Sequence, residues 1–239
     1  MSDIFEKLGL HLTEDEKQQI KAAVLAERFA LDKERRREGY RRLNRLVKPH
    51  QILFVGSSLM EHFPIYELLL DRGLPYIIYN RGISGTTTQE LLGSMEECIF
   101  ALQPDHIYIN IGTNDLNGPD ASIEELIGRY RLILTRIRDR LPEARLNLLA
   151  YYPVNPEAAK GNPRMEAALR NRTNEKIRYC NEAVKALAEE FGARYLDLNA
   201  GITDSEGRLK AEYTVEGMHM YGDGYARVLD ALLPYLPEV

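Results

Sequence analysis

The chain has 239 residues, with 31 Lys and Arg against 36 Asp and Glu, for a formal charge of -5 at neutral pH. Hydrophobic residues make up 44% and charged residues 28%, which excludes collagenous, coiled-coil and disordered chains and fits one large globular domain or at most two small ones. The mild acidity removes any global reason to bind polyanions, so nucleic acid is not an expected partner.

Met1 to Lys7 lack the basic start and apolar run of a signal peptide, and no stretch approaches about 18 uncharged apolar residues. A cytoplasmic location without stable membrane insertion is the expectation. Thr13-Glu14-Asp15-Glu16 is a capping box, in which the Thr hydroxyl and the Glu carboxylate serve unpaired amide donors, so a helix should begin near Glu14. Ile20, Ala23, Val24, Phe29, Ala30 and Leu31 follow on roughly helical spacing, and Lys33-Glu34-Arg35-Arg36-Arg37-Glu38 then turns basic. Residues 1–48 hold 12 basic and 9 acidic side chains, a charge of +3 against -8 for the rest. They read as a helical arm, packed on the body or on a second subunit, which makes them the candidate contact of a homodimer.

From residue 49 a single domain is expected to run to 239. Short runs rich in β-branched and aromatic residues, at Ile52–Val55, Tyr76–Tyr79, Ile107–Ile111, Leu146–Ala150 and Arg194–Leu198, read as five buried strands. Amphipathic stretches of helical length lie between and after them, at about 59–72, 87–102, 121–141, 165–191 and 223–236. Strand alternating with helix predicts right-handed crossovers and a mostly parallel sheet covered on both faces, a three-layer α/β/α sandwich. The two cysteines, Cys98 and Cys180, lack paired spacing and read as buried thiols.

In such a sheet functional groups gather at the carboxyl ends of the strands. There the chain places Gly56-Ser57-Ser58, then Asn80 to Thr87, then Gly112-Thr113-Asn114-Asp115. Ser58 sits where a hydroxyl can leave the backbone and meet a base, although Gly-Ser-Ser after a strand is by itself more often a plain turn. Gly85 offers an unencumbered amide and Asn114 a carboxamide, both able to donate to an oxyanion. Of the five histidines, His11 lies in the arm, His50 and His106 near the wrong ends of strands, and His62 one turn beyond Ser58. His219, in a loop before the last helix, is left as the candidate base.

These blocks resemble the SGNH hydrolase superfamily, the GDSL esterases, and within it the platelet-activating-factor acetylhydrolase-like bacterial branch. Gly56-Ser57-Ser58 matches its first block, Asn80 to Gly85 its second, Gly112-Thr113-Asn114-Asp115 its third, and Glu216-Gly217-Met218-His219 with Gly224-Tyr225 its fifth. The resemblance covers about residues 50 to 235 and implies a flavodoxin-like fold and ester hydrolysis. It assigns Ser58 as nucleophile, Ser58, Gly85 and Asn114 as oxyanion hole and His219 as base. Two positions depart from the pattern: Ser57 replaces an Asp, and Glu216 stands where the family has the Asp that orients the histidine. Either Glu216 orients His219, the favoured reading, or a backbone carbonyl does so and a Ser-His dyad remains.

The expected substrate is a small-molecule ester, with a short acyl group such as acetyl on a small or carbohydrate-like alcohol; no tryptophan is present to stack a sugar. Tyr151 to Pro163, with three prolines, is a candidate pocket rim. The competing functions are a lysophospholipase or thioesterase acting on longer chains, and a catalytically lapsed scaffold that binds a partner. No cofactor and no metal is implied, because neither a phosphate-binding glycine motif nor clustered ligand histidines occur.

Overall fold

The computed structural model describes residues 4–238, so positions 1–3 and 239, at the two ends of the expected arm and domain, lie outside the described residues. Five strands, β1 Ile52–Gly56, β2 Ile78–Gly82, β3 His106–Asn110, β4 Arg145–Leu149 and β5 Arg194–Leu196, form one sheet. The order is β2-β1-β3-β4-β5 and each neighbouring pair is parallel. The helices are α1 Ile4–Lys7, α2 Glu14–Leu43, α3 Ser58–Glu61, α4 Ile65–Asp71, α5 Thr88–Leu92, α6 Met95–Cys98, α7 Ile123–Arg140, α8 Pro163–Asn171, α9 Asn174–Glu190 and α10 Gly222–Leu232.

Because side chains alternate along a strand, Leu53, Val55, Ile107, Ile109, Leu146 and Leu148 enter one core with residues of α5 to α9. Ile52, Phe54, Ile78 and Tyr108 enter the opposite core with α3, α4 and α10. The α/β/α sandwich is therefore present, with both cysteines buried and free.

The element boundaries differ from the sequence reading where caps and prolines interrupt it. The stretch expected as a helix over 59–72 is two helices, because Pro64 has no amide to donate and caps α4 instead. The stretch 165–191 is also two, since Thr173 Oγ1 accepts from the Lys176 amide at 3.2 Å and starts α9 afresh. The expected 87–102 helix divides into α5, α6 and a 3-10 turn at Phe100–Leu102, while β2 begins two residues later than expected.

Helix α2 carries the predicted capping box, with the Glu16 amide donating to Thr13 Oγ1 at 3.2 Å. Its C-terminal half lies on the body: Tyr40 is buried and its hydroxyl donates to Gly82 O at 2.5 Å. Along the stretch before Lys33, Ile20, Val24, Leu25 and Leu31 are exposed. Among the described residues no helix is long and apolar enough to cross a membrane.

The chain leaves β1 for β2 on one side and then crosses to β3 on the other. That reversal opens a crevice at the carboxyl ends of β1 and β3, the place where sheets of this order bind ligands. The two ends approach so closely that a Cβ at Gly56 would stand 2.1 Å from the Asn110 carbonyl oxygen. A glycine there lets the chain turn directly into α3.

Candidate active site

Ser58 begins α3 immediately beyond this turn and is 6% exposed. Its Oγ lies 2.8 Å from Nε2 of His219, 161 residues later. On the other side of the same ring, Nδ1 lies 2.5 Å from Glu216 Oε1. With the Nδ1 proton donated to the carboxylate, Nε2 is left as an acceptor for the serine O–H. Ser58, His219 and Glu216 thus form one hydrogen-bonded row.

The loop holding His219 is fixed by its own backbone. Thr214 pairs with Met220 in an antiparallel bridge, and the Val215 amide donates to His219 O at 2.8 Å. Thr214 Oγ1 donates to that same carbonyl at 3.0 Å and accepts from the Gly217 amide at 2.8 Å. The Glu216 carboxyl sits below its ordinary range: burial pushes it up, but the hydrogen bond and charge of His219 outweigh that penalty.

The loops after β2 and β3 supply donors. The Ser58 and Gly85 amides make no hydrogen bond among the described residues. Asn114 Nδ2 donates to Thr86 O at 3.0 Å, using one of its two protons and placing it beside Gly85. Asp115 is not in the row; it accepts from the Thr88 amide at 3.0 Å and pairs with Arg129 at 3.3 Å, tying this loop to α5 and α7. Asn80 ties β2 to α3, donating to Met60 O at 2.6 Å and accepting from the Gly82 amide at 2.9 Å. The loop around Gly85 is braced from the arm. Lys33 Nζ donates to Gly85 O at 2.9 Å, and Arg36 pairs at 2.5 Å with Glu61, which accepts from the Ser84 amide at 2.6 Å.

His62, read from sequence as less well placed than His219 to serve Ser58, stands beside the row, its ring centroid 5.2 Å from that of His219. It reaches Ser84 Oγ at 3.3 Å rather than Ser58. Burial and then the neighbouring His219 hold its pKa below the ordinary value. The expected rim at Tyr151 to Pro163 is corrected over its first five residues: Tyr151, Tyr152, Pro153, Val154 and Asn155 are buried, because they continue β4 into the core. Asp223, the other carboxylate near His219 in sequence, is exposed and accepts from the Gly224 amide at 2.9 Å. Ser57, in place of the family's Asp, is 1% exposed.

The sequence reading missed Thr214 and Arg172. Arg172 is buried at the break between α8 and α9 and donates to Asn114 Oδ1 at 2.8 Å. The cap-forming run Asn171-Arg172-Thr173-Asn174 was the available signal for that break. No group of three or more His, Cys, Asp or Glu able to hold a metal occurs among the described residues.

Comparison with known proteins places the fold and the family. Residues 54–227 match the GDSL-like Lipase/Acylhydrolase family. The chain is 28% identical over 187 residues to the alpha2 subunit of human platelet-activating factor acetylhydrolase IB, covering 77% of this chain and 75% of that one. The human alpha1 subunit matches at 28%, covering 77% and 74%. A solved protein from Streptococcus pneumoniae, provisionally named a platelet activating factor, superposes with a TM-score of 0.81 at 30% identity, over 92% of this chain and 99% of that one. An acetylxylan esterase from Geobacillus stearothermophilus shares the fold, with a TM-score of 0.59 at 20% identity over 79% and 94%. The chain belongs to the GDSL-like lipase/acylhydrolase family of the SGNH superfamily, and it is an ester hydrolase.

Proposed function

We propose that this hydrolase removes short acyl groups, acetyl first among them, from a small alcohol through an acyl-enzyme on Ser58. The observation that carries the reading is the hydrogen-bonded row from Ser58 Oγ through both nitrogens of His219 to Glu216. As Oγ attacks the ester carbonyl carbon, His219 Nε2 accepts the serine proton, and Glu216 holds the imidazolium in place. The carbonyl oxygen becomes an oxyanion that accepts from the Ser58 and Gly85 amides and the second Nδ2 proton of Asn114. Collapse breaks the bond to the alcohol oxygen, which takes the proton from His219. Water then attacks the acyl carbon by the same route, and the serine regains its proton.

The acetyl preference is supported by the mammalian relatives, which are named acetylhydrolases. A second reading, hydrolysis of longer acyl chains, is favoured by one feature. A cavity of about 500 Å³ lies between α2 and the loop after β2, lined in part by the apolar Phe29, Tyr40, Leu43 and Ile83 next to Ser84. Turnover of p-nitrophenyl acetate and p-nitrophenyl decanoate, by wild type and Ser58→Ala, separates the readings. A higher kcat/KM for acetate, lost in Ser58→Ala, supports the first; a higher value for decanoate supports the second. Absence of Ser58-dependent turnover on either ester would leave the lapsed scaffold.

We also propose that residues 1–48 act as an arm on a catalytic body formed by residues 49–239, and that the exposed stripe of α2 from Ile20 to Leu31 meets a second copy of the chain. Ile20, Val24 and Leu31 recur at helical spacing and remain in solvent in the single chain.

A further inference from the structure

We propose that Arg172 is a positioning residue for the reaction, holding the Asn114 carboxamide in the one orientation that presents its N–H to the oxyanion. The proposal rests on the reading of Asn114 as an oxyanion donor. Arg172 is 2% exposed, and the three hydrogen bonds of its guanidinium all go to neutral acceptors. Nη2 donates to Asn114 Oδ1 at 2.8 Å, Nε to Asn117 Oδ1 at 3.1 Å and Nη1 to Met218 Sδ at 3.0 Å. No carboxylate pairs with it among the described residues, and burial lowers its pKa to about 10.

A buried cation without a direct ion pair opposes folding, because the nearby charge of Asp115 returns only part of its lost hydration. The site of its hydrogen bonds shows what it does instead. The two ends of a carboxamide are nearly alike in shape, and an Asn at a loop can present either end. Arginine can only donate, so Asn114 must turn Oδ1 toward it. Nδ2 then faces the other way, with one proton on Thr86 O and the second free on the crevice side. Asn117 adds a weaker donor to the same oxygen at 3.4 Å. The positive charge behind the amide also polarises it, strengthening the donor as negative charge develops on the substrate oxygen. The contact to Met218, next to His219, links the same guanidinium to the loop that carries the base.

The test is a double-mutant cycle on the full chain with p-nitrophenyl acetate. Asn114→Ala should lower kcat by about 10²- to 10³-fold, as loss of an oxyanion donor does. Arg172→Met should lower kcat by about 10- to 100-fold with KM little changed, the range for a lost hydrogen bond to a charged group. The two together should be no slower than Asn114→Ala alone, because Arg172 acts through Asn114. Multiplying effects, or a rise in KM at unchanged kcat, would overturn the proposal. A wild-type rate in Asn114→Ala would overturn it together with the donor reading beneath it, whereas a slow Asn114→Ala beside a fast Arg172→Met removes this inference alone. If Arg172→Met does not fold, Arg172→Lys and Arg172→Gln decide the matter. The charged Lys should restore kcat above the neutral Gln, and equal rates would refute the role.

Discussion

Oε1 of Glu216 is bound twice by His219, by the ring Nδ1 at 2.5 Å and by the backbone amide at 3.3 Å, so one carboxylate oxygen fixes both the residue and its imidazole. The extra methylene of Glu, compared with the family's Asp, is absorbed because Glu216 and His219 are three residues apart on a turn tight enough for the side chain to fold back. Glu216→Gln keeps the size but removes the charge and lets the side chain donate, which favours the wrong tautomer of His219. Its kcat is expected to fall by about 10²- to 10⁴-fold with KM little changed, as for other orienting carboxylates. Steady-state kinetics on p-nitrophenyl acetate checks this, and a near-wild-type rate would return the site to a Ser-His dyad.

Gly217 separates those two residues in a conformation that L side chains rarely adopt, with φ +93°. A Cβ there would stand 2.4 Å from the Asn155 carbonyl oxygen. Gly217→Ala should lower the melting temperature by about 2 to 8 °C, from roughly 1–2 kcal/mol of backbone strain in a chain of this size. It should also reduce kcat, since the shift displaces both Glu216 and His219. Thermal unfolding and turnover measured on one preparation test the pair of effects.

His62 gives a pH signature. It is packed among Glu61, Arg36, Ser84, His219 and Glu216, and its folded pKa lies below the ordinary value through burial and the His219 charge. A group depressed in the folded state contributes its stability fully above the unfolded pKa, about 6.5 for His, and loses it as pH falls below that. The unfolded chain then takes up a proton that the folded one refuses. His62→Gln should therefore flatten the decline of stability as pH falls below about 6.5. Glu216, also depressed, acts in the same direction but only below the ordinary carboxylate range, so denaturant melts across pH separate the two.

The sheet and most of the candidate site were legible because both rest on local signals. Buried parallel strands read as apolar runs, and the turns after β1, β2 and β3 carry Ser58, Gly85 and Asn114 at their carboxyl ends. His219 could be reached by elimination among five histidines, and Glu216 through the resemblance. What stayed hidden depends on contacts distant in sequence. Nothing in the sequence marks Arg172 within the stretch expected as one long helix; its contact appears only because Thr173 breaks that helix and the guanidinium reaches Asn114. Tyr151 to Asn155 looked like a pocket rim, because composition cannot tell an aromatic segment facing the substrate from one buried beneath it. The brace from Lys33 and Arg36 joins residues about 50 and 25 positions from their partners, and basic clusters are ordinarily just solvated.

The exposed stripe on α2 predicts association. Val24 and Leu31 are 59% and 53% exposed in the single chain. With both changed to Glu, light scattering at micromolar concentration should show a monomer where wild type shows a dimer, with catalysis per chain unchanged. A monomeric wild type would remove the proposed contact.

The most direct test of the account is covalent capture of Ser58. Treated with a fluorophosphonate, the wild-type chain should gain the mass of one phosphonyl group, mapped by peptide mass spectrometry to Ser58, with loss of esterase activity in parallel. Ser58→Ala should gain none. A label on another residue, or an unlabelled wild type that still hydrolyses p-nitrophenyl acetate, would contradict the acyl-enzyme mechanism.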